Sequence, residues 1–161
     1  MNNKVKKIFV DMDGTLTEWK KSAKFEDLYK KNYFLDLKPH KNLIEALKEL
    51  HKIENIEIYI LSAYLIDSKY ALKEKNQWLD KYFNVPKTNR LFLPCGENKN
   101  IYCENEHSLL LDDYNLNLNS WNGLKIKIVN GVNDIRKTFN GPRINILDAK
   151  DKIISQIKSF L

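Results

Sequence analysis

The chain has 161 residues, of which 43% are hydrophobic, and its formal net charge is +6. This length suffices to bury one core, so we expect a single domain over residues 1–161. The basic residues are scattered, which argues against a dedicated nucleic-acid patch and favours attraction to small anions. No apolar stretch approaches the roughly 20 residues that span a bilayer, and residues 1–7 contain no apolar leader core. We therefore expect a cytoplasmic protein with no membrane partner.

The first predicted element is a buried strand over residues 5–11 that ends in carboxylates. Asp11 and Asp13 stand one residue apart and are followed by Gly14 and Thr15. Open α/β sheets bind their ligands at this end of their strands. Two acids this close repel each other, and a divalent cation relieves the repulsion. One acid could attack phosphorus while the other handles the proton, although an isolated sequence of this kind also fits an exposed turn without chemistry.

An insert rich in aromatic and charged residues follows at about residues 18–39, and we do not expect it to join the main core. It is too short for a folded domain but long enough to form a minimal cap over the strand ends. Trp19 and Phe25 lie near the first carboxylates in sequence, so we expect them to border the substrate. The alternative is that the aromatic side chains form a satellite core that holds the cap on the sheet.

Predicted strands and helices alternate along the rest of the chain. The predicted helices cover residues 41–52, 67–82 and 148–160, and the predicted strands cover residues 56–61, 91–93, 109–111 and 125–129. Leucine and isoleucine at helical spacing indicate the first helix, and short β-branched or leucine-rich runs indicate buried strands. This alternation predicts a mostly parallel α/β sheet with helices on both faces.

Three further positions at or near strand ends carry functional side chains. Ser62 ends the second strand, and its hydroxyl and the N–H groups of the turn at Ala63 could bind a phosphate oxygen. Lys99 follows a Pro–Gly loop at the start of a helix, where the dipole disfavours a cation unless it neutralises a nearby anion. Asp112 and Asp113 end another apolar strand, and burying even one unpaired carboxylate costs several kcal/mol. Two acidic strand ends indicate a shared cation, and oxygen ligands without a histidine cluster favour Mg²⁺. Taken singly, Ser62 could merely satisfy a turn and Lys99 could be a surface lysine.

These motifs together resemble the four ordered motifs of the haloacid dehalogenase superfamily of phosphotransferases. Within the superfamily, the chain is similar to the 5'(3')-deoxyribonucleotidase family and its small bacterial and phage relatives. The stretches that carry this similarity are Asp11-Met12-Asp13-Gly14-Thr15, Tyr33-Phe34-Leu35-Asp36-Leu37-Lys38-Pro39, Leu61-Ser62-Ala63, and Leu111-Asp112-Asp113-Tyr114-Asn115 running on to Asn119-Ser120-Trp121. Thr15 departs from that family, in which valine is usual, and matches generic phosphatases of the superfamily.

The resemblance implies a Rossmann-like fold and a covalent mechanism. Asp11 would be the nucleophile that forms an aspartyl phosphate, and Asp13 would protonate the leaving alcohol and then activate water. Mg²⁺ would be held by Asp11, the backbone carbonyl of Asp13 and the acidic pair. In that pair, Asp113 is expected to be the direct ligand and Asp112 to act through water or other side chains.

The resemblance also implies a phosphate site and a substrate class. Ser62 and the N–H of Ala63 would bind the phosphate, and Lys99 would offset the charge of the phosphate and of Asp11. The implied function is an Mg²⁺-dependent phosphomonoesterase acting on (deoxy)nucleoside monophosphates. The alternatives are a phosphatase that acts on nucleic-acid ends or on another small phosphomonoester, and a non-catalytic phosphate-binding module. The sequence leaves the oligomeric state open.

Overall fold

Alternating strands and helices form one parallel sheet in the computed structural model, which describes residues 5–133 and 138–161. The elements are β1 (Lys6–Val10), α1 (Lys41–His51), β2 (Ile56–Tyr64), α2 (Ala71–Tyr82), β3 (Arg90–Pro94), β4 (Leu109–Asp112), α3 (Asn115–Ser120), β5 (Leu124–Val129), β6 (Arg143–Asn145) and α4 (Lys150–Lys158). Short 3-10 helices cover Phe25–Tyr29, Lys87–Asn89 and Lys99–Tyr102. Within the described ranges, no helix has the length and apolar character needed to cross a membrane.

The central strands bury side chains on both faces, because successive residues of a strand point to opposite sides. In β1, Ile8 and Val10 belong to a large apolar cluster that includes side chains of α1, α2 and α4. Phe9 belongs to a second cluster with Leu118 of α3 and Trp121. Helices therefore cover both faces of the parallel sheet, and the predicted fold class is confirmed.

The strand order explains where ligands can bind. The six strands are arranged β3-β2-β1-β4-β5-β6, so the order reverses at β1, which lies between β2 and β4. Val10 is in register with Leu111, and the N–H of Asp11 donates to the carbonyl of Leu111 at 2.9 Å. Asp11 and Asp112 consequently emerge side by side at the carboxyl edge, at the kind of switch point where open α/β sheets bind ligands.

The insert between β1 and α1 is a loop that is closed at its base. Thr17 forms a bridge with Pro39, and the N–H of Glu18 donates to the carbonyl of Lys38 at 2.8 Å. The 3-10 helix Phe25–Tyr29 lies within this loop. We call residues 18–38 the cap segment, because it leaves and rejoins the chain at paired residues close to the loop that follows β1.

The cap segment has a small core of its own, separate from the main core. Tyr33, Phe34 and Leu37 are buried and pack with Ala71, the first residue of α2. The indole of Trp78 on α2 donates to the carbonyl of Leu37 at 2.7 Å. The satellite core that the sequence offered as an alternative is therefore present for these side chains.

Glu74 of α2 makes a second attachment to the cap segment. Its Oε1 accepts the N–H of Asn32 at 2.6 Å, and its Oε2 accepts the N–H of Phe34 at 3.2 Å. Asn32 has φ of 66°, in the left-handed region, so the chain turns sharply here and leaves main-chain donors without regular partners. A buried carboxylate supplies the missing acceptors.

Several predicted boundaries were wrong. The second strand continues to Tyr64 rather than ending at residue 61. The helix predicted from residue 67 begins at Ala71. Ser68 lies in a turn before the helix, and its hydroxyl accepts the N–H of Ala71 at 3.2 Å. β6 was not predicted, since it has three residues of which only Ile144 is buried. The expectation about a leader falls partly on residues 1–4, which lie outside the described residues.

Candidate active site

Three buried carboxylates meet at the carboxyl edge of β1 and β4. Asp11 follows β1, Asp112 is the last residue of β4, and Asp113 follows it. One oxygen from each lies within 4.8 Å of the others. The pairing of β1 with β4 imposes this proximity, and the repulsion between the three charges requires compensation from nearby positive groups.

Lys99 provides part of that compensation. Its buried Nζ lies 2.6 Å from Oδ1 of Asp11 and 2.7 Å from Oδ2 of Asp112. Burial alone would lower the pKa of Lys99, but the charges of Asp11 and Asp112 raise it above its ordinary value. Lys99 is therefore a permanent cation beside the first carboxylate, and the start of the 3-10 helix Lys99–Tyr102 holds it there.

Asp112 is bound by protein donors at both oxygens. Its Oδ1 accepts the N–H of Tyr114 at 2.8 Å, and its Oδ2 accepts the side-chain amide of Asn117 at 2.9 Å as well as Lys99. Burial raises the pKa of Asp112 to about 6, and the charge of Lys99 opposes this rise. With both oxygens engaged, Asp112 is suited to orienting its neighbours.

Asp113 is held mainly at one oxygen. Its Oδ2 accepts the side-chain amides of Asn130, at 2.8 Å, and of Asn133. Among the residues that the structure describes, its Oδ1 has only a long contact of 3.4 Å with the Thr15 hydroxyl. Burial and the negative charges of Asp112 and Asp11 raise the pKa of Asp113 to about 8. A bound cation would favour the ionised form, and Oδ1 is the oxygen left to contact it.

The donor set fits a divalent cation that prefers oxygen ligands. Asp11, Asp112 and Asp113 offer carboxylate oxygens, and the group contains neither histidine nor cysteine. Such hard ligands are typical of Mg²⁺ and Ca²⁺ sites rather than zinc sites. Gly14 adjoins this group, and its position allows no side chain because a Cβ there would collide with the carboxylate of Asp113.

Asp13 lies in the loop after β1 and faces a lysine that the sequence analysis did not identify. Its Oδ2 accepts from Nζ of Lys75, while Oδ1 is buried without a hydrogen-bond partner among the described residues. Burial raises the pKa of Asp13, and the charge of Lys75 acts in the opposite direction. Asp13 therefore has one oxygen fixed by Lys75 and one buried oxygen without a donor among the described residues.

Ser62 and Ala63 lie near the end of β2, next to the same lysine. Ser62 is fully buried, and its Oγ accepts from Nζ of Lys75 at 3.1 Å. The carbonyl of Ala63 accepts from the same nitrogen at 2.6 Å. The structure thus brings together Ser62, Ala63 and Asp13, and it adds Lys75 to the set.

A third buried lysine supports the acidic pair from the other side. Lys127 of β5 donates to the carbonyl of Asp113 at 2.7 Å and to Oδ1 of Asn115 at 2.7 Å. Asn130 and Asn133 also lie on this side, and the sequence predicted no functional role for either. Their signal in the sequence was weak, because asparagine is frequent throughout this chain.

A cavity of about 690 Å³ opens above these side chains. Its lining includes Asp11, Asp13, Trp19, Ala63, Cys95, Lys99, Asp112, Asp113, Tyr114, Leu116, Asn117 and Asn133. Trp19 therefore borders the cavity. Phe25 does not belong to this lining: its side chain is 63% exposed and packs edge-on against Tyr29, with ring centroids 5.7 Å apart.

Comparisons with known proteins indicate the family of the chain. The model of a family described as "5' nucleotidase, deoxy (Pyrimidine), cytosolic type C protein" matches residues 11–156. The mitochondrial 5'(3')-deoxyribonucleotidase of Homo sapiens is 36% identical over 53 residues, which are 33% of this chain and 23% of the human protein. The Mus musculus protein of the same name is 30% identical over 53 residues, which are 33% of this chain and 24% of the mouse protein. These matches span less than a quarter of each relative.

Among solved structures, DsGPDH of Dunaliella salina superposes with a TM-score of 0.55 at 16% identity. The superposition covers 94% of this chain and 29% of that chain. At this identity the likeness concerns the fold alone.

Proposed function

Since the chain belongs to the family of deoxy (pyrimidine), cytosolic type C 5' nucleotidases, we propose that it hydrolyses (deoxy)nucleoside monophosphates with the help of Mg²⁺. One observation carries the proposal. The Lys99 ammonium contacts Asp11 and Asp112 at the floor of a cavity that Asp13 and Trp19 also line. A cavity lined by carboxylates, an ammonium group and an aromatic side chain suits a phosphate ester whose leaving group contains an aromatic ring.

In the first step, an oxygen of Asp11 attacks phosphorus while the bond from phosphorus to the leaving oxygen breaks. The electron pair of that bond goes to the leaving oxygen, and Asp13 donates a proton to it. The products are a nucleoside and an aspartyl phosphate on Asp11. Lys99, which already touches Asp11, offsets the negative charge of the phosphoryl group as it is transferred.

In the second step, Asp13 takes a proton from a water molecule, whose oxygen attacks phosphorus. The bond to Asp11 breaks, which restores the Asp11 carboxylate and releases inorganic phosphate. Asp13 is left protonated and ready for the next leaving group. The hydroxyl of Ser62 and the N–H of Ala63 hold the phosphoryl oxygens in both steps.

Asp11, Asp113 and the backbone carbonyl of Asp13 would hold the Mg²⁺ ion, which supplies charge neutralisation at the phosphoryl group. Asp112 would support this set through Lys99 and Asn117 rather than as a direct ligand, since its oxygens already accept three hydrogen bonds. The family description also supports a cytosolic location, although the human relative is mitochondrial.

The test is phosphate release from a panel of nucleoside monophosphates, sugar phosphates and 3'-phosphorylated oligonucleotides, with Mg²⁺ present. We expect the highest kcat/KM for nucleoside monophosphates, and acid quenching with a labelled substrate should trap phosphate on the wild-type protein but not on Asp11→Asn. A preference for oligonucleotides that falls steeply with salt would instead support action on nucleic-acid ends. Phosphate binding without release would contradict enzymatic function.

A further inference from the structure

Lys75 is a buried cation for which the two steps above assign no role. It lies on α2, and its side chain is fully buried. Removing an ammonium group from water costs several kcal/mol unless partners replace the lost hydration. The neighbouring Lys73, on the same helix, is exposed and carries no such cost. The burial of Lys75 therefore calls for specific partners.

Those partners use all three N–H donors of the ammonium group. Nζ donates to Oδ2 of Asp13, to Oγ of Ser62 at 3.1 Å and to the carbonyl of Ala63 at 2.6 Å. The ring of Phe34 in the cap segment lies on a fourth side, with its centroid 4.9 Å from Nζ. Lys75 thus links two parts of the chain: the loop after β1, which contains Asp13, and the end of β2.

This arrangement makes the two oxygens of Asp13 different. Oδ2 is fixed by Lys75, whereas Oδ1 is buried and has no hydrogen-bond partner among residues 5–133 and 138–161. A buried carboxylate oxygen without a donor is costly, and because Asp13 lines the cavity, a ligand bound there can supply the missing donor. Ser62 is held by the same lysine, because its Oγ accepts from Nζ of Lys75, and its hydroxyl makes only a long contact of 3.5 Å with the carbonyl of Ala63 among the described residues.

We propose that Lys75 is a positioning residue that holds Oδ2 of Asp13, so that Oδ1 meets the leaving oxygen of the substrate. This inference rests on the proposed function, in which Asp13 protonates that oxygen. Lys75 itself contacts no reacting atom. Its contribution is therefore greatest when the leaving group needs a proton, and smallest when the leaving group departs as a stable anion.

The experiment compares two substrates on one preparation of Lys75→Met. A deoxynucleoside monophosphate has an alkoxide leaving group that requires protonation, whereas p-nitrophenyl phosphate releases a stable phenolate. The value of kcat/KM reports the steps up to release of the leaving group, so the later attack of water does not enter. Because both substrates see the same sample, the ratio of the two kcat/KM values does not depend on the folded fraction.

We expect Lys75→Met to lower kcat/KM for the nucleotide by about 100-fold, the lower end of the usual range for general acid catalysis, with a far smaller loss for p-nitrophenyl phosphate. Lys75→Gln keeps N–H donors without the charge, and it should restore part of the ratio. Lys73→Met is the matched control, since the same change at an exposed position of α2 should leave the ratio unaltered.

Equal losses on both substrates in Lys75→Met and Lys75→Gln would overturn the inference and leave Lys75 a purely structural role. Asp13→Asn separates this failure from failure of the proposed function. If Asp13→Asn loses the nucleotide reaction selectively and the Lys75 variants do not, only the inference about Lys75 fails. If Asp13→Asn shows no selectivity, or the wild type hydrolyses neither substrate, the proposed function itself fails.

Discussion

The floor of the cavity and the cap segment above it are held in place by different means. On the floor, Asp11 and Asp112 are fixed by the main-chain pairing of β1 with β4. The cap segment depends on side chains of α2, chiefly the two hydrogen bonds of Glu74 and the indole of Trp78. If the proposed function holds, the groups for phosphate chemistry lie at the edge of the sheet, whereas Trp19, which would border the rest of the substrate, belongs to a separately anchored loop.

The largest expected effect tests the floor. Asp11→Asn keeps the shape of the side chain and removes the attacking charge, so turnover should fall at least about 1000-fold on every substrate, with the fold unchanged. Circular dichroism and steady-state rates check both parts. Asp36→Asn makes the same chemical change at an exposed position in the cap segment and should leave turnover near that of the wild type. Appreciable turnover by Asp11→Asn would exclude the covalent mechanism.

Metal removal tests the floor in a second way. Treatment with EDTA should abolish phosphatase activity, and added Mg²⁺ should restore it. Mg²⁺ at about a hundredfold excess over its dissociation constant should also raise the free energy of unfolding by about 2.7 kcal/mol, measured by denaturant titration. Asp113→Asn should lose this stabilisation, because it removes the charge of the proposed direct ligand. Full activity in a rigorously metal-free sample would contradict the metal site.

The anchor of the cap segment should matter less for chemistry and more for stability. Glu74→Gln replaces one of two acceptor oxygens with an amide donor that faces the N–H of Asn32 or Phe34. We expect the free energy of unfolding to fall by about 1–3 kcal/mol, the usual cost of leaving a buried donor unpaired. KM for nucleotides should rise, and kcat/KM for p-nitrophenyl phosphate should change little.

Glu45→Gln is the control for this variant, because Glu45 is exposed on α1 and pairs only with Lys48 at 2.8 Å in the described structure. Its effect on the free energy of unfolding should stay within about 0.5 kcal/mol. If Glu74→Gln reduces the turnover of both substrates alike, the floor and the cap segment are not separable.

The smallest expected effect concerns the aromatic border of the cavity. Trp19→Ala should raise KM for nucleotides about tenfold, equivalent to about 1.4 kcal/mol, through the loss of contact with the base. It should barely alter the hydrolysis of p-nitrophenyl phosphate. Phe25→Ala provides the comparison, since its ring is outside the cavity lining and should contribute less. Equal losses on both substrates for Trp19→Ala would mean that the indole only holds the cap segment together.

The sequence was informative wherever the chemistry followed the strand ends. The runs before Asp11 and Asp112 are apolar, which predicted strands of a parallel sheet that are buried on both faces. Neighbouring parallel strands bring their carboxyl ends together. The family resemblance drawn from these positions is confirmed by the match over residues 11–156. The roles of Asp11, Asp13, Ser62 and Lys99 remain predictions.

The sequence was less informative where a side chain acts through a distant part of the chain. Lys75 lies four residues after Ala71 and three before Trp78, on the buried face of α2, so helical spacing offered a signal that was not used. Glu74 has the same spacing, three residues after Ala71 and four before Trp78, but its partners lie about 40 positions away in an irregular turn that the sequence did not predict. Phe25 illustrates the same limit, since proximity to Asp11 in sequence does not decide which way a loop directs its side chains.

The pairing of β1 with β4 also dictates when the site can exist during folding. Lys99 and Asp11 are 88 positions apart in the chain. Asp11 follows β1, and β4, which pairs with β1, is synthesised later than both residues. Contacts of such long range form slowly, because a large loop must close before any of them stabilises the chain. A nascent chain that ends before β4 therefore carries Asp11 and Lys99 without the acidic neighbours Asp112 and Asp113. The ability to bind a cation arises only near the completion of the sheet.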